Sequence, residues 1–422
     1  MFSFDPYSPA VDADPFPFYK TLRDEYPCFW SREANMWVLS RYADILAALN
    51  NWQTYSSASG NLMDELPNRA GATLGTTDPP RHDRLRGLIQ FAFVKRNLEA
   101  LAEQIRAIAR AAAAPLAGEK RFDFIEDFSS KFTVRVLIAA LGLPMGDEET
   151  VREKAVLMVQ SDPVTRGKGP QHLAAYNWMT DYASKVIAER RANPQNDLIS
   201  ILTKAYDDGD LQKDHKAYQG VDEATIAAMR EKNSLSDDEL FAFLAVLMVA
   251  GNETTRNAIS GGMLALSQFP DQKKLMLDNL DVDDFMDRAV DELIRYVSPV
   301  LGFIRTVTKD HTYRNTELKE GDRILMLYPS ANRDERALDR PNELNFERDV
   351  NPHLAFGIGP HFCLGANLAR MEVKLVFQEL LGRLPDIQIP TDAVIPRGES
   401  SLVLALQHMP ATFTAGGCPV AH

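Results

Sequence analysis

One stretch of this chain restricts its architecture more than any other. From Glu239 the sequence runs Leu-Phe-Ala-Phe-Leu-Ala-Val-Leu-Met-Val-Ala-Gly-Asn-Glu-Thr-Thr-Arg256, apolar nearly all round as far as Gly251. A helix without a polar face has to be wrapped by protein, so the segment predicts a helix through the middle of a large core. Ser236-Asp-Asp-Glu239 has the capping-box pattern that opens helices. The apolar part, Phe241 to Gly251, falls well short of the ~20 residues that a membrane span requires. Gly251, Asn252, Glu253 and Thr254 then interrupt it. A mid-helix glycine costs about 1 kcal/mol against alanine, and buried polar side chains need partners. Taken alone, the interruption has a local explanation: Thr254 bonds back to the carbonyl of Ala250, and Glu253 pairs with Arg256. Yet Phe243, Leu247, Ala250, Gly251, Thr254 and Ala258 share one face, where the small residues leave room for a flat ligand.

Hydrophobic residues at 45% and charged residues at 25% exclude collagen-like and wholly disordered polymers. With 46 Lys+Arg against 59 Asp+Glu the net charge is −13, which argues against nucleic acid or an anionic membrane as a partner. Cys28, Cys363 and Cys418 make no disulfide framework and point to a reducing compartment. The stretch Met1 to Lys20 lacks the basic start and apolar run of a signal peptide. The expectation is a cytoplasmic protein with no membrane span. A length of 422 residues suggests two or three domains. No linker, repeat or low-complexity tract divides it, so one domain over 1–422 is expected.

The chain reads as mostly helical with small β-sheets near both ends, an α+β protein. Helices are expected at Asp44–Asn50, Leu98–Ala114, Asp147–Gln160 and His172–Arg191, and strands at Met36–Leu39 and Arg323–Tyr328. Ser161–Pro170 reads as a loop, and the charge-rich Tyr206–Asn233 as a solvated excursion.

Cys363 lies in His353-Leu-Ala-Phe-Gly-Ile-Gly-Pro-His-Phe-Cys-Leu-Gly-Ala-Asn-Leu-Ala-Arg370. Three glycines and a proline mark a tight loop, and a helical pattern starts after Gly365. Free N–H groups and the helix dipole at that junction favour a thiolate. Such a thiolate can ligate a metal, act as a nucleophile, or do nothing. The pattern Phe356-x-x-Gly359-x-x-x-Cys363-x-Gly365 resembles the haem-binding signature of the cytochrome P450 superfamily, of the soluble bacterial type. Its chance frequency in this composition is on the order of 10⁻⁶ per starting position.

The resemblance implies the P450 fold, with haem b between the central helix and the cysteine loop and its helix. Cys363 would be the axial iron ligand, with Phe356, Gly357, His361 and Gly365 around the cofactor. Ala250-Gly-Asn-Glu-Thr-Thr255 is similar to the family's oxygen-activation stretch, which makes Glu253 and Thr254 the acid–alcohol pair that handles protons. Glu292-Leu-Ile-Arg295 resembles the family's E-x-x-R network. Its third partner would be Asn345 or Arg348, because asparagine stands where arginine often precedes Phe346. His82 and Arg86, at i and i+4, together with Arg305 and His361, match the residues that hold haem propionates.

By the same resemblance, the substrate pocket would draw on Val246, Ala250, Val300, Leu301, Phe303 and Leu402, and on the segment Ser161–Tyr176. These residues are greasy, so the expected substrate is a hydrophobic terpenoid, steroid or alkyl-chain molecule. O2 would be the co-substrate. No flavin or nicotinamide fingerprint appears, so NAD(P)H would act only indirectly, through a ferredoxin and ferredoxin reductase. Docking would use Arg81, Arg84 and Arg370. The alternatives left open are a P450 for a small aromatic acid, a non-catalytic haem-thiolate ligand sensor, and a non-haem thiol.

Overall fold

The computed structural model describes residues 2–66, 69–94, 98–162, 165–195, 197–207 and 237–414. The helices that position the site are α1 (Arg81–Ile89), α2 (Ser130–Leu141), α3 (Glu148–Val159), α4 (Pro170–Ala192), α5 (Asp237–Gln268), α6 (Asp283–Val297) and α7 (Ala366–Arg383). The apolar segment is α5, and it is wrapped as its sequence requires: α2, α3, α4, α6 and α7 all pack on it. Leu244, Met248, Ile259, Met263 and Leu266 are wholly buried. Each such side chain removed from water stabilises the fold by roughly 1.5–3 kcal/mol. Gly251 has a packing reason, since a Cβ there would lie 2.9 Å from Leu137 Cδ1 of α2. Its smallness admits the neighbouring helix, where a flat ligand had been expected to need it. Phe243 and Ala258, expected on the ligand face, are buried in the core.

Five short strands form the larger sheet: β1 (Cys28–Ser31), β2 (Met36–Leu39), β3 (Tyr55–Ser56), β4 (Gly302–Val307) and β5 (Arg323–Leu327), in the order β1-β2-β5-β4-β3. Only the β2–β5 pair is parallel. Strand alternation puts Phe303 and Arg305 on one face of β4, an apolar group and a cation side by side. Leu301 N–H donates to Leu402 O at 2.8 Å, and Val300 bridges Val403, so residues 299–301 are zipped to the turn near the C-terminus.

Several expectations need adjusting. The Leu98–Ala114 segment opens as a 3₁₀ turn, Glu99–Leu101, is α-helical over Ala102–Ala113, and tightens again at Ala114–Gly118, where Pro115 removes a donor. β5 stops at Leu327, because Pro329 starts a helical turn at Tyr328–Ala331. The helix Leu198–Asp207 was not expected. Ser236, Cys418 and all but the first two residues of Tyr206–Asn233 lie outside the described residues. No helix among the described residues is long and apolar enough to cross a membrane.

Candidate active site

The cysteine loop is held from several sides. Gly357 and Gly359 have φ of +66° and +72°, a region open to glycine and strained for other residues. At Gly359 a Cβ would also sit 2.9 Å from the Leu49 carbonyl of the helix Tyr42–Asn50. Gly365 has neither constraint. The Cys363 N–H donates to Phe356 O at 2.9 Å. Arg86 of α1 donates to the carbonyls of Phe362 (2.6 Å) and Pro360 (3.3 Å), so it grips the loop. The Phe356 ring lies under the Arg370 guanidinium at 4.6 Å and edge-on to Phe362.

Cys363 is exposed at a half-open pocket of about 370 Å³ lined by Arg86, Gln90, Val94, Phe362 and Leu364. Burial pushes its thiol up, against the opposing pull of the Gly365 N–H and of Arg86 and Arg370. The loop-to-helix junction alone was expected to favour thiolate; desolvation outweighs it.

On α5 a stripe of residues also faces open space. Ala250 is exposed, and Val246, Leu247 and Thr254 are half-buried, whereas Ala245, Met248, Asn252, Glu253 and Thr255 are buried. The spacing 246, 250, 254 is one helical face. The Thr254 hydroxyl donates to Ala250 O at 2.6 Å, which leaves its lone pairs free toward that space. Glu253 is turned away. Its carboxylate forms a bidentate pair with Arg256 (2.5 and 3.1 Å), whose Nη1 donates to Leu406 O at 2.6 Å. The acid and the alcohol expected to work as a pair are therefore apart in this conformation, because adjacent helix residues point about 100° apart. The local explanation read from the sequence is the one realised.

Glu292 and Arg295 are 1% and 0% exposed at their side chains and bind through two contacts, 2.7 and 2.8 Å. Arg295 also donates to the carbonyls of Asn332, Pro341 and Glu343. Both suggested third partners reach Glu292, in different ways. Arg348 uses its guanidinium (3.2 and 3.4 Å), whereas Asn345 uses only its backbone N–H (2.9 Å).

The chemistry of the donor set fits a flat, dianionic cofactor. His82 and His361 lie with ring centroids 4.4 Å apart, and the Nε2 of each is buried without a hydrogen-bond partner. Arg305 is 3% exposed, donates to Ile304 O, and has no carboxylate in ion-pairing reach among the described residues. Burial holds it below the ordinary arginine value. Asp78 stands 4.0 Å from His361. The His82 Nδ1–H is already spent on Asp83 at 2.9 Å, so its Nε2 donates only when the ring is protonated; two carboxylates would favour that form and would also pair the buried Arg305. Arg86 is partly engaged by the loop carbonyls.

The apolar residues expected to touch substrate, Val246, Val300, Leu301, Phe303 and Leu402, are all half-buried, with Val300 and Phe303 packed against one buried cluster and Leu402 against another. Of the cations expected to dock a partner, Arg370 is bonded to Asp291 at 2.6 Å and Arg81 to Glu239.

A helix-wrapped core, a small mixed sheet, a cysteine loop and a central helix whose open face carries Thr254 fit a haem-thiolate class of protein. The family model for cytochrome P450 matches residues 11–413, and this chain belongs to that family of monooxygenases. It is 31% identical over 417 residues to the putative cytochrome P450 123 of Mycobacterium tuberculosis, covering 97% of each chain. The steroid C26-monooxygenase of Mycolicibacterium smegmatis is 31% identical over 92% of this chain and 88% of its own. Among solved structures, the Bacillus subtilis bacillaene polyketide synthase P450 PksS superposes with a TM-score of 0.84 at 30% identity, covering 97% of this chain and 100% of that one. A Mycobacterium marinum P450 in complex with pseudoionone gives 0.83 at 31%, covering 98% and 100%.

Proposed function

We propose that this protein inserts one atom of O2 into a hydrophobic small molecule of terpenoid, steroid or alkyl-chain type, within a single domain over 1–422 in the cytoplasm. The observation that carries the reading is the α5 stripe: open, apolar at Val246 and Ala250, and polar only at Thr254. The names of relatives point the same way, one a steroid C26-monooxygenase and another solved with pseudoionone.

Haem b, when bound, supplies the dioxygen chemistry, which a thiolate ligand favours. Cys363 is the ligand. Burial favours its protonated form, and the positive charge of a bound cofactor would be what favours the thiolate there. His82, His361 and Arg305 receive the propionates, and Arg86 holds the loop at the right depth. Thr254 accepts a hydrogen bond from water or a reacting group while its own proton stays on Ala250 O, and so places a proton source beside the reaction. Glu253 reaches that side only by releasing Arg256; until then it fixes α5 to the Leu406 segment. Val300, Leu301, Phe303 and Leu402 exclude water and orient the substrate.

Electrons come from separate proteins, a ferredoxin and its reductase drawing on NAD(P)H. An acidic ferredoxin would have to take Arg370 from Asp291. The test is optical. The reduced protein with carbon monoxide should show the red-shifted thiolate band, and steroids, terpenoids or fatty acids should move the Soret band toward high spin. If aromatic acids shift it and all the hydrophobic candidates leave it in place, the substrate class is wrong.

A further inference from the structure

Asp64 carries a buried charge that the chemistry above does not use. Its side chain is 1% exposed, and the Lys168 side chain beside it 3%, with Nζ 3.3 Å from Asp64 Oδ2. The ammonium also donates to the carbonyls of Met158 and Gln160. The carboxylate accepts the hydroxyls of Ser161 and Ser401, one on each oxygen, both at 2.5 Å. Ser161 Oγ in turn accepts the Ser401 N–H at 3.3 Å, and the Ser400 hydroxyl donates to Val159 O at 2.7 Å. Three segments remote in sequence meet at one carboxylate: the loop around Asp64, the connection between α3 and α4, and the turn near Ser401.

These polar groups adjoin a small apolar cluster that includes Leu402, one of the residues expected to face substrate. Val159, Val403 and Ala405 cluster with Val249 of α5 and with Leu402, whose carbonyl holds the Leu301 N–H. Loops such as these are where proteins open most readily. A fully bonded buried ion pair opposes that opening, because separating the partners leaves a charge stranded in a dry site. Lys168 has an acceptor for each of its three protons, so it is not free to hold an acidic substrate.

We propose that Asp64 and Lys168 form a clasp that positions the substrate-facing segments. It sets how closely residues 299–303 and 400–404 approach α5, and therefore which size of molecule the cavity holds and how fast that molecule exchanges. The proposal rests on the monooxygenase reading, since it requires Leu301 and Leu402 to face substrate.

The test uses the haem-loaded protein, the variant Asp64→Asn, and two nitrogen ligands followed at the Soret band: imidazole, which is small, and clotrimazole, which is bulky. Asn keeps the shape but strands the Lys168 charge. The clotrimazole Kd should rise about tenfold, with faster association and dissociation, while the imidazole Kd stays within about twofold. Adding Lys168→Met removes the stranded charge and should bring clotrimazole back to within about threefold of the parent. Should Asp64→Asn alone fail to fold, the double variant is read against Lys168→Met, which leaves the carboxylate stranded, with the same expected ordering. If both ligands weaken together, or neither does, the clasp merely holds the fold and the proposal fails. A parent protein whose Soret band does not respond to imidazole overturns the haem reading itself, a separate result.

Discussion

Around Glu292 the buried pair sits on a helix and its cation is anchored to three main-chain carbonyls; around Asp64 the pair sits on loops and the carboxylate is held by side chains. Arg295 gives its donors to Glu292 and to three main-chain carbonyls. Those acceptors move only if the chain itself moves. Asp64 faces two hydroxyls and an ammonium, each of which can rotate away. The two regions thus share a motif, a carboxylate buried with a cation, but differ in what releases it. One makes a fixed tie between α6 and the segment 332–348. The other makes an adjustable border to the apolar cleft.

The largest effect is expected at the sulfur, the group both regions frame in this reading. Cys363→Ala should abolish the thiolate-type carbonyl band and lower oxygenation by at least about 10³-fold; an enzyme that keeps both would overturn the haem-thiolate reading. Arg295→Met leaves Glu292 only Arg348 and the Asn345 N–H, empties three carbonyls of their donor, and should cost about 3 kcal/mol, measured by denaturant unfolding. Asn345→Ala should cost no more than about 1 kcal/mol, because only its main chain reaches Glu292. Equal losses for the two would mean that backbone contacts do not set the difference. Thr254→Ala should leave substrate affinity nearly unchanged and reduce product formed by about 10²-fold, a split visible between Kd and turnover.

The smallest effect is expected at the adjustable border. His172 Nδ1 accepts the Gly169 N–H at 2.8 Å, which requires a neutral nitrogen, and burial, with Lys168 nearby, holds the ring below the ordinary histidine value. The unfolded chain therefore takes up the proton first. Stability should be whole above pH ~6.5 and decline as pH falls through it, by at most about 1.4 kcal/mol per pH unit. Comparing Tm for His172→Asn and the parent between about pH 7.5 and pH 5 checks this; parallel curves would assign the decline elsewhere.

The buried central helix was legible because a run with no polar face has one physical solution. The cysteine loop was legible because glycines at positive φ and a helix start are local features. The orientation of Glu253 was legible only as the bland i to i+3 pairing with Arg256, and the resemblance obscured it. Glu292 with Arg295 looks like an ordinary surface pair in sequence; its burial depends on carbonyls 37 to 48 residues away. The clasp was invisible for the same reason: nothing local in Asp64, Lys168 or Ser401 announces that a common cavity wall joins them. Gly251 was misread because a mid-helix glycine admits a ligand and a neighbouring helix equally well.

Gly359 has a consequence for anyone who would redesign this enzyme. Its missing Cβ lets the loop lean against the Leu49 carbonyl, so the helix Tyr42–Asn50, itself without a reacting group, supports the loop four residues before the sulfur. Engineering that remodels residues 42–50 for solubility or expression would be retuning the electrode without touching it.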